Sequence, residues 1–169
     1  MSKKIRLAGI AYESLVNGPG MRRVLFAQGC KHNCSGCFNP ETHDLSGGEE
    51  MDMDEILKDI SENPMLKGVT FSGGDPLEQA EEFAYMAEKI KNLGLNIWCY
   101  TGYEYEYIIN NLQRRKDWQR LLNNIDVLVD GKFDSSKVQD GLRFRGSKNQ
   151  RFIDVKKSLG RNEMHILNY

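Results

Sequence analysis

The sequence predicts an α/β domain of mainly parallel strands, most simply one unit spanning residues 1–169. Short β-rich apolar runs alternate with helical stretches, which is the signature of βαβ units and a parallel sheet. Each of these runs stops at an unusual turn, as expected where a ligand site gathers at the carboxyl ends of strands. The length argues for an incomplete (β/α) barrel, because a closed eight-fold barrel takes about 250 residues.

The elements follow in order. "RRVLFAQG" (22–29) is a strand that runs directly into a cysteine-bearing loop. "MDMDEILKDISENP" is a short helix with Asp52 as its cap and Glu55 three residues later, ended by Pro64. "KGVTFSGG" (67–74) is the next strand, stopped by two glycines. "DPLEQAEEFAYMAEKIKNLG" opens with Asp75 as cap and Pro76 at the first helical position. Its apolar stripe of Ala80, Phe83, Ala84, Ala87 and Ile90 has helical spacing, and Gly94 fits the stop. "LNIWCYTG" is a third strand, and "YEYEYIINNLQRR" a helix with Thr101 and Glu104 spaced for a second capping box. "NIDVLVDGKF" supplies a fourth strand and "RFIDV" (151–155) a fifth.

Composition narrows the function. With 40% hydrophobic and 28% charged residues the chain reads as an ordinary globular protein. A net charge of -1 gives no overall reason to expect nucleic acid or an anionic membrane as partner. The apolar run near the start is too short and broken for a signal peptide, and no stretch reaches the roughly 18 apolar residues of a membrane span. The expected location is therefore the cytoplasm, where clustered cysteines more often bind metal or do chemistry than form disulfides. Charge is unevenly placed: seven basic residues and one acid lie between Arg143 and Arg161, either a solvated face or a docking surface.

Three of the four cysteines fall within eight positions, as "CKHNCSGC" (30–37). Cys30, Cys34 and Cys37 would share one face of a helix, but Gly29, Asn33, Gly36 and Pro40 favour a tight loop. A structural zinc would need a fourth ligand, from His32 or His43, and there is no second CxxC pair. An iron–sulfur cluster fits thiolate ligands better, and three thiolates on four irons leave one iron open for a small molecule. Cys99, in the strand-like "IWCYT", reads as a buried structural thiol rather than a fourth ligand.

This C-x3-C-x2-C motif after a strand, with a Gly-Gly-Asp-Pro turn after the next, resembles the radical S-adenosylmethionine enzymes. The blocks "VNGPGMRRVLFAQGCKHNCSGCFNPET", "TFSGGDPL", "YTGY", "DVLVDGKF" and "RFRGSKNQRFID" resemble, in order, the anaerobic ribonucleoside-triphosphate reductase-activating proteins. His43 departs from the pattern, which would place an aromatic residue after Thr42. The resemblance implies a radical S-adenosylmethionine type of incomplete barrel, with Cys30, Cys34 and Cys37 holding a [4Fe-4S] cluster. It also implies S-adenosyl-L-methionine on the open iron, cleaved to a 5′-deoxyadenosyl radical that installs a glycyl radical on the anaerobic reductase. Gly36, Cys37, Phe38, Gly73, Gly74, Asp130 and Lys132 carry over as residues at the cofactor, while Asp75 reads better as a helix cap. A flavodoxin-like or other low-potential electron donor is implied too. The competing readings are a radical enzyme acting on another glycyl-radical or small-molecule substrate, and a non-catalytic zinc-binding module.

Overall fold

The computed structural model describes residues 3–32 and 43–169. Its parallel centre is β2 (Arg22–Ala27), β4 (Gly68–Gly73), β5 (Asn96–Tyr100) and β6 (Val127–Asp130), hydrogen-bonded in that order. These are the four central strands the sequence predicts, and each ends at its expected turn. The flanks differ. β1 (Lys4–Ser14) and β3 (Glu49–Asp52) extend one side antiparallel, and β7 (Arg151–Asp154) and β8 (Ile166–Leu167) extend the other. The result is one mixed sheet among the described residues, in the order β3-β1-β2-β4-β5-β6-β7-β8. The expectation of mainly parallel strands thus holds for the centre and not for the edges. Edge strands bury little, so β3 (EEMD) and the outer half of β1 carry no strong apolar pattern to read.

Helices cover one face. In α1 (Met53–Ser61) the Asp52 carboxylate accepts from the Asp54 and Glu55 N–H groups, as its cap position predicts. In α2 (Ala80–Asn92) all five expected stripe residues are buried, together with Met86. The expected single helix from Asp75 is interrupted, because Pro76–Gln79 form a 3-10 turn first. α3 (Tyr105–Asn111), α4 (Lys116–Leu122) and α5 (Val155–Arg161) complete the set. The expected capping box before α3 is absent. Glu104 occupies the cap position without a side-chain bond, and Thr101 is turned elsewhere.

Strand alternation sends Leu25, Val69, Phe71, Ile97, Cys99 and Leu128 toward the helices, in one continuous core. Phe71 meets Phe83 of α2 with ring centroids 4.7 Å apart. The intervening residues face the other way. There Trp98, Val127, Val129 and Phe152 form a smaller cluster with Tyr100, Phe144 and Leu167, to which no helix contributes among the described residues. The helix-free face is where the chain leaves space.

Candidate functional site

The carboxyl ends of β2, β4 and β5 are tied together by Asp75, which has no exposed surface. Its carboxylate accepts from His32 Nε2 at 2.7 Å, Thr101 Oγ1 at 2.9 and 3.0 Å, the Gly102 N–H at 3.0 Å and the Leu77 N–H at 3.0 Å. The expected capping role is therefore real, as the Leu77 bond, but it uses only part of the carboxylate. A buried carboxylate needs this many donors, and four from three segments supply them: His32 after β2, Leu77 in its own turn, and Thr101 with Gly102 after β5.

The Gly73–Gly74 turn lies against the chain that leads to the cysteines. Gly74 N donates to Ala27 O at 2.8 Å, and Asp75 N donates to Gly29 O at 2.7 Å. Gly73 has φ +99°, and a Cβ there would sit 2.4 Å from Ala27 N. Only glycine satisfies both the left-handed backbone and this contact.

A cleft of about 800 Å³ opens here, walled by Cys30, Gly73, Gly74 and Lys132 among others. It spreads from the strand ends onto the helix-free face, where Phe26, Ser72 and Tyr100 line it. A second cleft of about 660 Å³ shares His32, Gly102, Lys132 and Phe133 with the first. Beneath the loop that carries Asn17, Arg22 is fully buried; its Nε donates to Thr70 Oγ1 at 2.8 Å and its Nη1 donates to Pro19 O at 3.1 Å. Burial pushes this guanidinium down to about 10, so it stays charged at neutral pH. Thr70 Oγ1 in turn donates to Asn17 O at 2.7 Å, fixing the loop that forms one wall.

Of the expected site residues, Cys30, Gly73, Gly74 and Lys132 line the cleft. Cys34, Gly36, Cys37 and Phe38 lie outside the described residues. Asp130 ends β6 as expected, but its buried carboxylate accepts from the Tyr105 N–H at 2.8 Å and from Arg151 Nε at 3.0 Å. The wall beside it is made by Gly131 and Lys132. Cys99 is fully buried on the helix side, and burial pushes its thiol up, as suits a structural residue. The basic run is divided: Arg143 and Arg145 line the cleft, whereas Arg151 binds Asp130 and Glu106.

Thr101 and Tyr100 carry no site signal in the sequence, and His32 offers one there only as a zinc ligand. Burial raises the Tyr100 phenol, which stays protonated and donates to Phe144 O. Phe144 itself has φ +64°, a strained conformation for an aromatic residue, at the cleft wall. His43 also lines the cleft: its carbonyl accepts from Cys30 N at 3.2 Å, while its buried Nε2 has no hydrogen-bond partner among the described residues. A thiol on the wall, a buried ring nitrogen without a partner among the described residues and a volume in the range of cofactor pockets fit a soft-metal cofactor with a small organic ligand.

A family model described as a 4Fe-4S single cluster domain matches residues 16–153. Anaerobic ribonucleoside-triphosphate reductase-activating proteins are similar along most of their length. That of Vibrio cholerae serotype O1 is 39% identical over 145 residues, 80% of this chain and 89% of its own. That of Escherichia coli (strain K12) is 35% identical over 144 residues, 80% of this chain and 90% of its own. The chain belongs to the anaerobic ribonucleoside-triphosphate reductase-activating protein family. The Enterobacteria phage T4 member is 36% identical over 143 residues, 80% of this chain and 85% of its own. For this reductase-activating family member, the span matched by the 4Fe-4S domain takes in Asn17, the three clustered cysteines, the Gly73–Gly74 turn and all of β7 but its last residue. It therefore includes the whole parallel centre and every described residue lining the cleft except Leu15, and makes the cofactor class iron–sulfur. Among the described residues no helix is long and apolar enough to cross a membrane.

Proposed function

We propose that the protein is a cytoplasmic radical S-adenosylmethionine enzyme, a single domain that activates anaerobic ribonucleoside-triphosphate reductase. The observation that carries this is that Cys30, the Gly73–Gly74 turn and Lys132 line one cleft, with the turn bonded to Ala27 and Gly29 just before Cys30. Cys30, Cys34 and Cys37 would hold the [4Fe-4S] cluster. Once bound, cluster and S-adenosyl-L-methionine supply reductive cleavage to a 5′-deoxyadenosyl radical, which takes hydrogen from a glycine of the reductase.

The chain's own residues bind and orient. Gly73 and Gly74 present backbone where a side chain would block close approach. Lys132 brings a cation that suits a ligand carboxylate. Gly36 and Phe38, flanking Cys37, belong at the same ligand. Asp130 acts through Arg151 and the Tyr105 N–H, steadying the strand end from which Lys132 projects. No acid–base pair is required of the protein. A sheet with β3 and β8 at its ends and the cleft on its helix-free face supports an incomplete barrel, with that face inside. Its open side suits a protein substrate, and a flavodoxin-like donor would supply the electron.

The test is anaerobic reconstitution with iron and sulfide, then reduction and addition of S-adenosyl-L-methionine. Expected are a cluster EPR signal perturbed by the ligand, 5′-deoxyadenosine formation lost in Cys34→Ala, and a glycyl radical on added reductase. Zinc bound without sulfide would overturn the reading.

A further inference from the structure

Of the two described residues that follow Cys30, Lys31 and His32, it is His32 that is buried against the rest of the protein. Its side chain is 7% exposed, and its Nε2–H donates at 2.7 Å to Asp75, which is wholly buried. The ring also meets Tyr103 edge-on, with centroids 4.4 Å apart. Space for it is made at Gly102, where a Cβ would fall 2.5 Å from the imidazole Cδ2. The preceding residue repeats the pattern: Lys31 Nζ lies 3.2 Å from Glu78 Oε2, and Glu78 Oε1 accepts from the Tyr103 hydroxyl at 2.6 Å. Lys31 is largely exposed and contributes little. The buried His32–Asp75 bond is the one with consequence.

We propose that His32 is a positioning residue for the cluster, with Asp75 as its anchor. The carboxylate is itself fixed by Thr101, Gly102 N and Leu77 N, and the Asp75 backbone is bonded to Gly29 O. His32 thereby joins the chain that carries Cys30, and Cys34 two residues on, to the same rigid point from which the Gly73–Gly74 turn departs. Ligands that must stand at a set distance from an organic cofactor need such a support, and losing comparable outer contacts typically costs 10–100-fold in metal affinity. This inference rests on the reading under Proposed function.

The experiment compares wild type, His32→Phe, which keeps a ring beside Tyr103 but no donor, and His32→Gln, which restores an N–H. Each is reconstituted anaerobically, and cluster lifetime is followed by visible absorption in EDTA, with the EPR of the reduced cluster alongside. Melting of the metal-free proteins controls for folding. His32→Phe is expected to shorten the lifetime about tenfold or more with an altered EPR signal, and His32→Gln to recover most of it. A His32→Phe lifetime within about twofold of wild type, with an unchanged spectrum, overturns the proposal. If His32→Phe does not fold, Gly102→Ala, which displaces the ring without removing it, carries the same expectation and the same refutation. If wild type itself takes up no iron and sulfide, the functional reading fails instead. The clasp is then judged on the metal-free protein by mapping iodoacetamide alkylation of Cys30. Several-fold faster labelling in His32→Phe supports it, and equal rates sink it.

Discussion

Arg151 stands directly opposite Asp130 across the antiparallel β6–β7 ladder and grips its carboxylate with both Nε, at 3.0 Å, and Nη2, at 2.5 Å. The Asp130 side chain is 1% exposed, so the pair is what allows a charge to end β6 beneath the cleft. Arg151→Ala would leave that charge with one backbone donor. The expected loss is about 2–4 kcal/mol, tempered by the partial exposure of Arg151 and read as a lower urea midpoint. Arg151→Lys should recover only part of it, because an ammonium lacks the two-pronged geometry.

Gly73→Ala and Gly94→Ala separate crowding from backbone strain. Both glycines have positive φ, but a Cβ at Gly94 meets nothing within 4 Å, whereas at Gly73 it meets the Ala27 backbone. Gly94→Ala is expected to cost about 1 kcal/mol. Gly73→Ala should cost about 3 kcal/mol or more and abolish ligand-induced change in the cluster spectrum. Equal melting temperatures for the two variants would contradict the close approach.

Cys99→Ala should keep the iron and sulfide content of wild type and lose about 1 kcal/mol of stability from a small cavity. Cys30→Ala should lose the cluster. In the metal-free protein Cys99 should be the slowest thiol to alkylate, since burial disfavours its thiolate. Iron analysis of both variants decides the matter.

Acid should weaken the protein through three arginine-bonded carboxylates. Side-chain bonds from Arg120, Arg151 and Arg115 hold Glu88, Glu106 and Asp117 below their ordinary values of 4.5, 4.5 and 3.8. A carboxylate depressed in the folded state contributes stability that is fully present above its unfolded value and lost as pH falls through the folded one. Melting temperature should therefore be insensitive to these groups near neutrality and fall on acidification below about pH 4.5. The Glu88→Gln, Glu106→Gln double variant should show a shallower fall, and an identical slope would mean the bonds are not formed in solution. The effect is modest because the pairs are exposed.

Much of the scaffold was legible because it is written in local signals. Apolar runs ending in Gly-Gly, Thr-Gly and Asp-Gly marked the central strands, the Asp52 cap marked α1, and the spacing of Phe83, Ala87 and Ile90 marked the buried side of α2. The parallel order followed from the alternation of elements. Cys99 was recognisable as structural from the apolar strand around it. Of the antiparallel edges only β7 was legible, as "RFIDV", since β3 and β8 bury too little to leave a pattern.

The sequence by itself determined the cysteine motif, the strand-end turns and the chemistry those residue types can support, because spacing and turn residues act within a few positions. Only the tertiary structure decided what those turns do to one another. Asp75 looked like a helix cap, yet most of its bonds go to His32 and to Thr101 and Gly102, 43, 26 and 27 positions away. Thr101 left its expected capping box because a buried carboxylate is a stronger claim on a hydroxyl than a solvated helix end. The cleft likewise occupies the helix-free face because every helix packs on the other one, a choice made by the core as a whole and by no single segment.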